Sequence, residues 1–335
     1  MVKIKLIDVA EKAGVSKSTV SQYLNGRFDY MAEKTKQRIM QAIEELDYVP
    51  NPIARSLKTA KTKTIGVIVR DVTGSYTGKA IRGIDDFCKK NGYNVLIYNT
   101  DFDPTIEAQS LQALRQLNVD GIIIASSGKN AELICKFIDK GLPVVQFQLE
   151  HDGTEKHIIL SDYRQGAFDA TDYLITLGHK RICFITQHFD SVKSRNERYQ
   201  GYLEAHLKHG MSVDNQLIQY WHRETGFELS PTEVLSQLHP PSAFFTQHLA
   251  ITTALLENLE HGNITIPDDV SVISFDDIPM AKFFKVPITV IKQEPYEIGT
   301  ESASALLNLL NEKQTSAKKV MVPCSLIKRS SCKAP

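Results

Sequence analysis

The chain has 335 residues, 42% hydrophobic and 23% charged, with 39 Lys and Arg balanced by 39 Asp and Glu. That composition excludes a fibrous or disordered chain, and the length suits two or three domains, with a small appendage on a larger core. The balance is uneven along the chain: residues 1–64 hold 12 Lys and Arg against 7 Asp and Glu, an excess that fits either a nucleic-acid-binding end or a solvated surface.

Cys88, Cys135, Cys183, Cys324 and Cys332 are odd in number and never spaced as a metal or redox pair, so they read as reduced thiols. The first ten residues carry Asp8 and no apolar run of signal-peptide length, and no segment approaches the ~20 apolar residues of a membrane span. A cytoplasmic protein with no membrane partner is expected.

From Leu6 to Leu24 the apolar residues Val9, Ala10, Val15, Val20 and Leu24 recur at helical spacing, broken at Gly14. Ala10, Gly14 and Val20 have the spacing of a helix-turn-helix: a small residue for close approach, a Gly for the turn, and a β-branched residue beneath. Ser16 is a good N-cap for the second helix. Lys17, Ser18, Thr19, Ser21, Gln22 and Asn25 then supply a polar face whose donors and acceptors suit a major groove or, more plainly, water. Ile39, Ile43 and Leu46 predict a third helix over Glu33–Leu46. Lys5 and Ala32 stand where a capping Ser or Thr would serve, each costing ~1 kcal/mol.

After Tyr48-Val-Pro-Asn, Pro52 can start a short helix, with Lys61-Thr-Lys-Thr trailing as a polar linker. Ala54, Arg55, Leu57 and Lys58 form either a capped linker helix or an apolar wedge flanked by cations for a minor groove, ordered only against DNA.

These stretches, Asp8-Val-Ala, Ala13-Gly-Val-Ser, Ser18-Thr-Val-Ser, Leu24-Asn-Gly, Tyr48-Val-Pro-Asn and Ala54-Arg-Ser-Leu-Lys, resemble the LacI family of transcription regulators along the whole chain. The resemblance implies a homodimer gripping a near-palindromic double-stranded DNA operator through paired heads and hinge helices. It implies a head over 1–48, a hinge helix and linker over 49–63, and an effector-binding and dimerisation domain over 64–335.

Beyond Thr64, β-rich runs alternate with helical stretches at Ile65–Val69, Val95–Tyr98, Gly121–Ala125, Val144–Phe147, Ile182–Ile185, Leu217–Tyr220, Ala243–Phe245 and Val270–Phe275. The pattern is α/β, and roughly ten strands suit two parallel sheets with ligands gathered at the strands' carboxyl ends. The resemblance implies a periplasmic-binding-protein-like pair of lobes, about 64–160 with 293–319 and about 161–292 with 320–335, the chain crossing near Ser161, Lys292 and Val320.

Strand ends nominate Ser75, Tyr76, Thr77, Ser126, Ser127, Gln148, Ser194, Arg198, Trp221, Gln247, His248 and Asp276 as ligand contacts. An aromatic platform, a fixed cation and short hydrogen-bonding groups are what polyol recognition needs. The resemblance implies a stacking role for Trp221 and ligand-binding roles for Ser194, Arg198 and Asp276, while core packing, a salt bridge and a loop cap are the plainer roles for Trp221, Arg198 and Asp276. His248 suits the pocket or the surface equally.

Gln148 stands where sugar-binding members often carry Asp, and Gln247-His248 where Asn-Asp is common. Two fewer carboxylates beside Arg198, with Lys193 nearby, favour an acidic ligand. Ser18-Thr-Val-Ser-Gln-Tyr-Leu-Asn, Phe28-Asp-Tyr-Met and Lys292-Gln-Glu-Pro-Tyr-Glu-Ile-Gly are similar to regulators of 2-keto-3-deoxygluconate use, which implies a sugar acid, and a repressor released by its ligand is expected, although the family also holds members whose ligand does the reverse. A neutral sugar or corepressor ligand is the alternative within the same family. A sugar-binding receptor of the same fold is disfavoured by the basic head, and an enzyme by the lack of a phosphate loop or acid–base pair. No cofactor or metal is expected.

Overall fold

The computed structural model describes residues 4–49, 61–150, 157–189, 192–278, 280–311 and 318–335. It forms two compact units, Met1–Thr62 and Lys63–Pro335. Ala54, Arg55, Leu57 and Lys58 lie outside the described residues.

The first unit is all-helical: α1 (Leu6–Ala13), α2 (Lys17–Leu24) and α3 (Glu33–Glu45). Gly14 ends α1 at φ 60°, a left-handed conformation that disfavours a side chain, and its N–H returns to the carbonyls of Ala10 and Glu11. The turn is locked from across the core, where Arg38 Nη2 donates to the carbonyl oxygen of Ala13 and, at 2.9 Å, to that of Gly14. A Cβ at Gly14 would stand 2.5 Å from that nitrogen. Val9, Ala10, Val20, Ile39 and Ala42 fill the core. Ser16 Oγ caps α2 by accepting the Thr19 N–H at 3.2 Å. Ala32 gives α3 no such bond, and at α1 a partial substitute appears in Asp8, which accepts the Lys5 N–H at 2.7 Å.

The second unit holds two sheets. The first, in the order β12-β5-β4-β3-β1-β2, is parallel throughout: β1 (Thr64–Val69), β2 (Asn94–Asn99), β3 (Gly121–Ile124), β4 (Val144–Phe147), β5 (His157–Ser161) and β12 (Lys318–Val322). Its helices are α4 (Ser75–Lys90), α5 (Pro104–Gln116), α6 (Ala131–Asp139) and, late in the chain, α11 (Pro295–Leu310). The unbroken Ile122-Ile-Ile of β3 is fully buried, as a strand covered on both faces requires.

The second sheet runs β13-β11-β10-β9-β6-β7-β8: β6 (Ile182–Thr186), β7 (Ile218–His222), β8 (Gly226–Phe227), β9 (Ala243–Thr246), β10 (Ser271–Phe275), β11 (Thr289–Lys292) and β13 (Ser325–Ile327). It is parallel except at its edges, where β8 and β13 pair antiparallel. Its helices are α7 (Tyr163–Thr176), α8 (Lys193–Lys208), α9 (Pro231–Leu235) and α10 (Leu249–His261). Glycines let helix backbones meet: Gly83 on α4 faces Tyr296 O of α11, and Gly201 on α8 faces Arg164 O of α7, each 2.1 Å from where a Cβ would lie.

The chain passes between the sheets three times, after Ser161, after Lys292 and after Val322. The last passage falls a few residues beyond the expected 319–320 boundary. Val320 and Val322 pack into the first core, and β12 stays paired with β5 as far as Val322 opposite Ser161. Each of the eight named strand runs overlaps a strand, whereas β5, β8, β11, β12 and β13 were not among them.

Candidate functional site

Between the carboxyl ends of the two sheets lies a cavity of about 660 Å³. Eight of the twelve nominated residues line it: Ser75, Tyr76, Thr77, Gln148, Arg198, Gln247, His248 and Asp276. Ser75, Tyr76 and Thr77 open α4, Gln148 follows β4, Gln247 and His248 link β9 to α10, and Asp276 follows β10. Gln148 and Asp276 take left-handed backbone conformations, φ 71° and 84°, uncommon for residues with side chains and often kept at binding sites.

The other four are turned elsewhere. Ser126 and Ser127 serve Glu107, a fully buried carboxylate: its Oε2 accepts the Ser127 N–H at 2.6 Å and its Oε1 the Ser127 hydroxyl at 3.0 Å. Ser126 Oγ donates to the same carboxylate at 3.4 Å. Ser194 Oγ accepts the Glu150 N–H at 3.2 Å. Trp221 belongs to the core of the second lobe, paired across the β7–β8 hairpin with Phe227, and does not line the cavity, although its ring lies nearly perpendicular to that of His248, 5.8 Å between centroids. Lys193 faces Glu150 at 3.9 Å and does not line the cavity.

The basic character comes from other side chains. Arg70, Lys79, Arg195, Arg198, Arg223 and Lys292 line the cavity, against Asp71, Asp276, Asp277 and Glu294. Asp277 is engaged by Arg329 at 2.7 Å, and Glu294 by Lys292 at 2.7 Å. Arg70 directly follows β1, and Arg223 directly follows β7. Their place at the carboxyl ends of β1 and β7 is the sequence signal that identifies them.

Arg198 is held by its own helix, Nη1 donating to Ser194 O at 3.0 Å, and its guanidinium lies over the Tyr163 and Phe275 rings at 3.9 and 4.4 Å. Phe102 sits between two other guanidiniums, Arg70 of the first lobe at 5.3 Å and Arg223 of the second at 4.6 Å. The buried Nε atoms of Arg70 and Arg198 and the Tyr76 hydroxyl have no hydrogen-bond partner among the described residues. Burial lowers the Arg70 pKa to about 10, with Arg195 and Arg223 adding repulsion, and raises the Tyr76 hydroxyl well above its ordinary range.

His248 caps α10 with Nδ1, which accepts the Ile251 N–H at 3.4 Å, and Nε2 is 3.2 Å from Gln187 Oε1. Burial first, then the surrounding arginines, push its pKa down to about 3, so the ring is neutral with its proton on Nε2. Burial raises the Asp276 carboxyl, opposed by Arg198 and by the Gln293 amide that donates to Oδ1. Gln293 also accepts the Ser161 hydroxyl at 2.5 Å, so one amide joins two interlobe passages to a cavity carboxyl.

In the helical unit, Lys17, Ser18, Gln22 and Asn25 are exposed, and Thr19 and Ser21 half-buried. Ser16 Oγ bonds the hydroxyls of Ser18 at 2.6 Å and Thr19 at 2.8 Å, and Asn25 donates to Ser21 O at 2.7 Å. Lys17 and Gln22 extend from this face without a side-chain bond among the described residues.

Residues 5–51, covering all three helices of the head, match the model of the bacterial regulatory proteins of the lacI family, and residues 171–332 match a periplasmic binding protein-like domain. The chain is 34% identical over 313 residues to the probable HTH-type transcriptional regulator EndR of Paenibacillus polymyxa, covering 92% of this chain and 91% of that protein. The chain belongs to the LacI family of bacterial regulatory proteins. Similarity extends to the HTH-type transcriptional repressor PurR of Vibrio vulnificus, 30% identical over 97% of this chain and 98% of that one. In fold it matches the lac repressor dimer bound to operator and the anti-inducer ONPF, with a TM-score of 0.85, 23% identity and 99% of each chain covered. As a LacI-family member it is a DNA-binding transcriptional regulator and not an enzyme. Its architecture is the family's: a helix-turn-helix head and a two-sheet periplasmic-binding-protein-like domain. Among the described residues no helix is long and apolar enough to cross a membrane.

Proposed function

We propose that this regulator acts in the cytoplasm as a homodimeric repressor of sugar-acid catabolism, released from its operator when an acidic sugar derivative binds between the lobes. The observation that carries the reading is the pair of buried, unpartnered guanidinium nitrogens, Arg70 Nε and Arg198 Nε, in a cavity where basic side chains outnumber carboxylates. A buried donor without a partner is costly, and a carboxylate meets both needs at once, satisfying the donor and the charge. Gln148, Gln247 and Asp276 offer the short polar groups that fix sugar hydroxyls, and Tyr76 lines the same wall. The subgroup similar to regulators of 2-keto-3-deoxygluconate use fits this chemistry.

Arg70, Tyr76 and Gln148 come from one lobe, Arg198, Gln247 and Asp276 from the other, so a ligand touching both sets favours a closed cleft. Closure shifts the population of the dimer away from the operator-binding form. On the DNA side we assign reading of base edges to Lys17 and Gln22, positioning to Ser16, Ser18, Thr19, Ser21 and Asn25, and minor-groove contact to Ala54, Arg55, Leu57 and Lys58 on the sequence alone.

The test is calorimetric titration with hexuronates, keto-deoxy sugar acids and their neutral sugar counterparts, paired with fluorescence anisotropy on operator DNA selected from random duplexes. The expected result is tightest binding by a sugar acid and loss of operator affinity in its presence. Preferential binding of a neutral sugar overturns the acidic-ligand reading.

A further inference from the structure

Away from the cavity mouth, three side chains on the second lobe converge on one point. Glu228 Oε1 is 2.8 Å from His188 Nε2 and 2.8 Å from His222 Nε2, and the three candidate ligand atoms lie within 4.8 Å of one another. His188 comes from the segment after β6, His222 from the end of β7, and Glu228 from the residue after β8. The β7–β8 hairpin fixes the latter two, with Trp221 opposite Phe227, His222 opposite Gly226, and the Glu228 N–H donating to Tyr220 O at 3.1 Å. The His188 ring is set by stacking on Tyr220, 4.2 Å between centroids and 8° from parallel.

We propose that His188, His222 and Glu228 form a binding site for one divalent transition-metal ion, zinc or cobalt in preference to magnesium or calcium. Two imidazoles that aim the same ring nitrogen at one carboxylate oxygen bring three metal-ligating atoms together, and a cation can replace the protons that now join them. Metal–ligand bonds of about 2.0–2.2 Å place tetrahedral donors about 3.3 Å apart, so the ion needs the His–Glu distances to open slightly and the imidazoles to close. Nitrogen-rich donor sets suit zinc, cobalt and nickel, whereas magnesium and calcium require more oxygens. His188 and Glu228 are exposed and His222 half-buried, so ions enter from solvent, which completes the coordination.

Arg195 joins the site to the cavity. Arg195 Nη1 donates to His188 O at 2.6 Å and its Nη2 to Gln187 Oε1 at 3.0 Å, and both Arg195 and Gln187 line the cavity. An ion holding His188 against the hairpin therefore stiffens one wall of that cavity.

The experiment uses the full chain, free of any polyhistidine tag, titrated with Co²⁺ or Zn²⁺ as chloride. Trp221, the sole tryptophan and the neighbour of His222, reports Co²⁺ by fluorescence quenching, and equilibrium dialysis counts Zn²⁺. The expected result is saturable quenching, one ion per chain, and an affinity weakened by at least about tenfold in His188→Ala and in His222→Ala. Thermal unfolding shows whether those variants are folded, and saturating Zn²⁺ should raise the wild-type midpoint by about 3 °C or more while leaving theirs unmoved. Absence of saturable binding overturns the proposal. So does wild-type affinity in both variants, or a sulfur-to-cobalt charge-transfer band showing that cysteines hold the ion.

Discussion

The guanidinium of Arg198 lies 3.9 Å from the centre of the Tyr163 ring, held there by a bond to its own helix. Stacking leaves the edge of the guanidinium as the part that can grip a ligand, which a point charge on a flexible stem cannot imitate. Arg198→Lys should therefore weaken sugar-acid binding by at least about tenfold, or about 1.4 kcal/mol, although the charge is kept. Arg198→Ala should abolish the ligand's effect on the operator. Ligand-free operator affinity should stay at the wild-type value in both. Calorimetry and anisotropy check the pair, and full response in Arg198→Ala would remove this residue from the site.

Arg70 carries a different cost. Its charge is desolvated beside two other arginines and one of its donors is unmatched, so the ligand-free protein is strained by it. Arg70→Met should raise the stability of the free protein by about 1 kcal/mol while removing affinity for an acidic ligand. Chemical denaturation beside titration reads both quantities, and a less stable variant would mean that Arg70 has a structural role.

Gly201→Ala tests how α8 is positioned. The added Cβ would stand 2.1 Å from Arg164 O and 2.8 Å from the Phe168 N, both backbone atoms that cannot step aside. Overpacking of this kind costs about 1–3 kcal/mol and should also displace Arg198, three residues earlier on α8. Ligand affinity should fall with the thermal midpoint, whereas Gly210→Ala, beyond the helix in open space, should change ligand affinity little.

Acid should destabilise the fold earlier than carboxylate protonation alone would. His248 is held at a pKa of about 3, and burial lowers His179 and His206 as well, all from an ordinary value of 6.5. Below that ordinary value the unfolded chain binds protons that the folded chain refuses. Stability is thus full above pH 6.5 and falls as pH drops toward the folded values, by up to about 1.4 kcal/mol per pH unit for each such histidine. Asp276, raised by burial, works in the opposite sense, contributing in acid and losing that contribution as pH rises through its folded value. Urea midpoints at pH 7.5 and 5.5 should differ, and by less in His248→Gln. Equal midpoints would refute the linkage.

Gln22→Ala should relax preference at one base pair of each operator half-site, costing about 1–3 kcal/mol against the preferred sequence and little against others. Selection from randomised duplexes measures it. An unchanged consensus would assign the reading to other side chains.

The two-unit organisation and the α/β alternation were legible because they rest on local properties: helical period before Thr64, short β-rich runs after it. Seven of the eight lining residues share one trait, a place at the carboxyl end of a strand or the start of the next helix, and Arg198 lies one turn further into its helix. Ser126 and Ser127 have the same trait and fail, because Glu107 on α5 reaches under β3 and claims both, a contact nineteen and twenty residues away that no local pattern records. Trp221 fails because its side chain faces the apolar core of the second lobe, whereas Arg223, two residues on and past the end of β7, leaves the strand geometry and lines the cavity. Of the strands without a sequence signal, β8, β12 and β13 lie at sheet edges, and β12 is exposed along much of its length and lacks a clean apolar run.

Neither sheet is a contiguous piece of chain. The edge of the first, β12, is made only after nearly all of the second, and β13 follows three residues later on the other lobe. During synthesis the earlier lobe therefore waits, one strand and the helix α11 short, while its neighbour is built. Loss of the final eighteen residues would strip a border from both lobes in a single cut. A truncation before Lys318 should therefore unfold both lobes as surely as one made much earlier in the second unit.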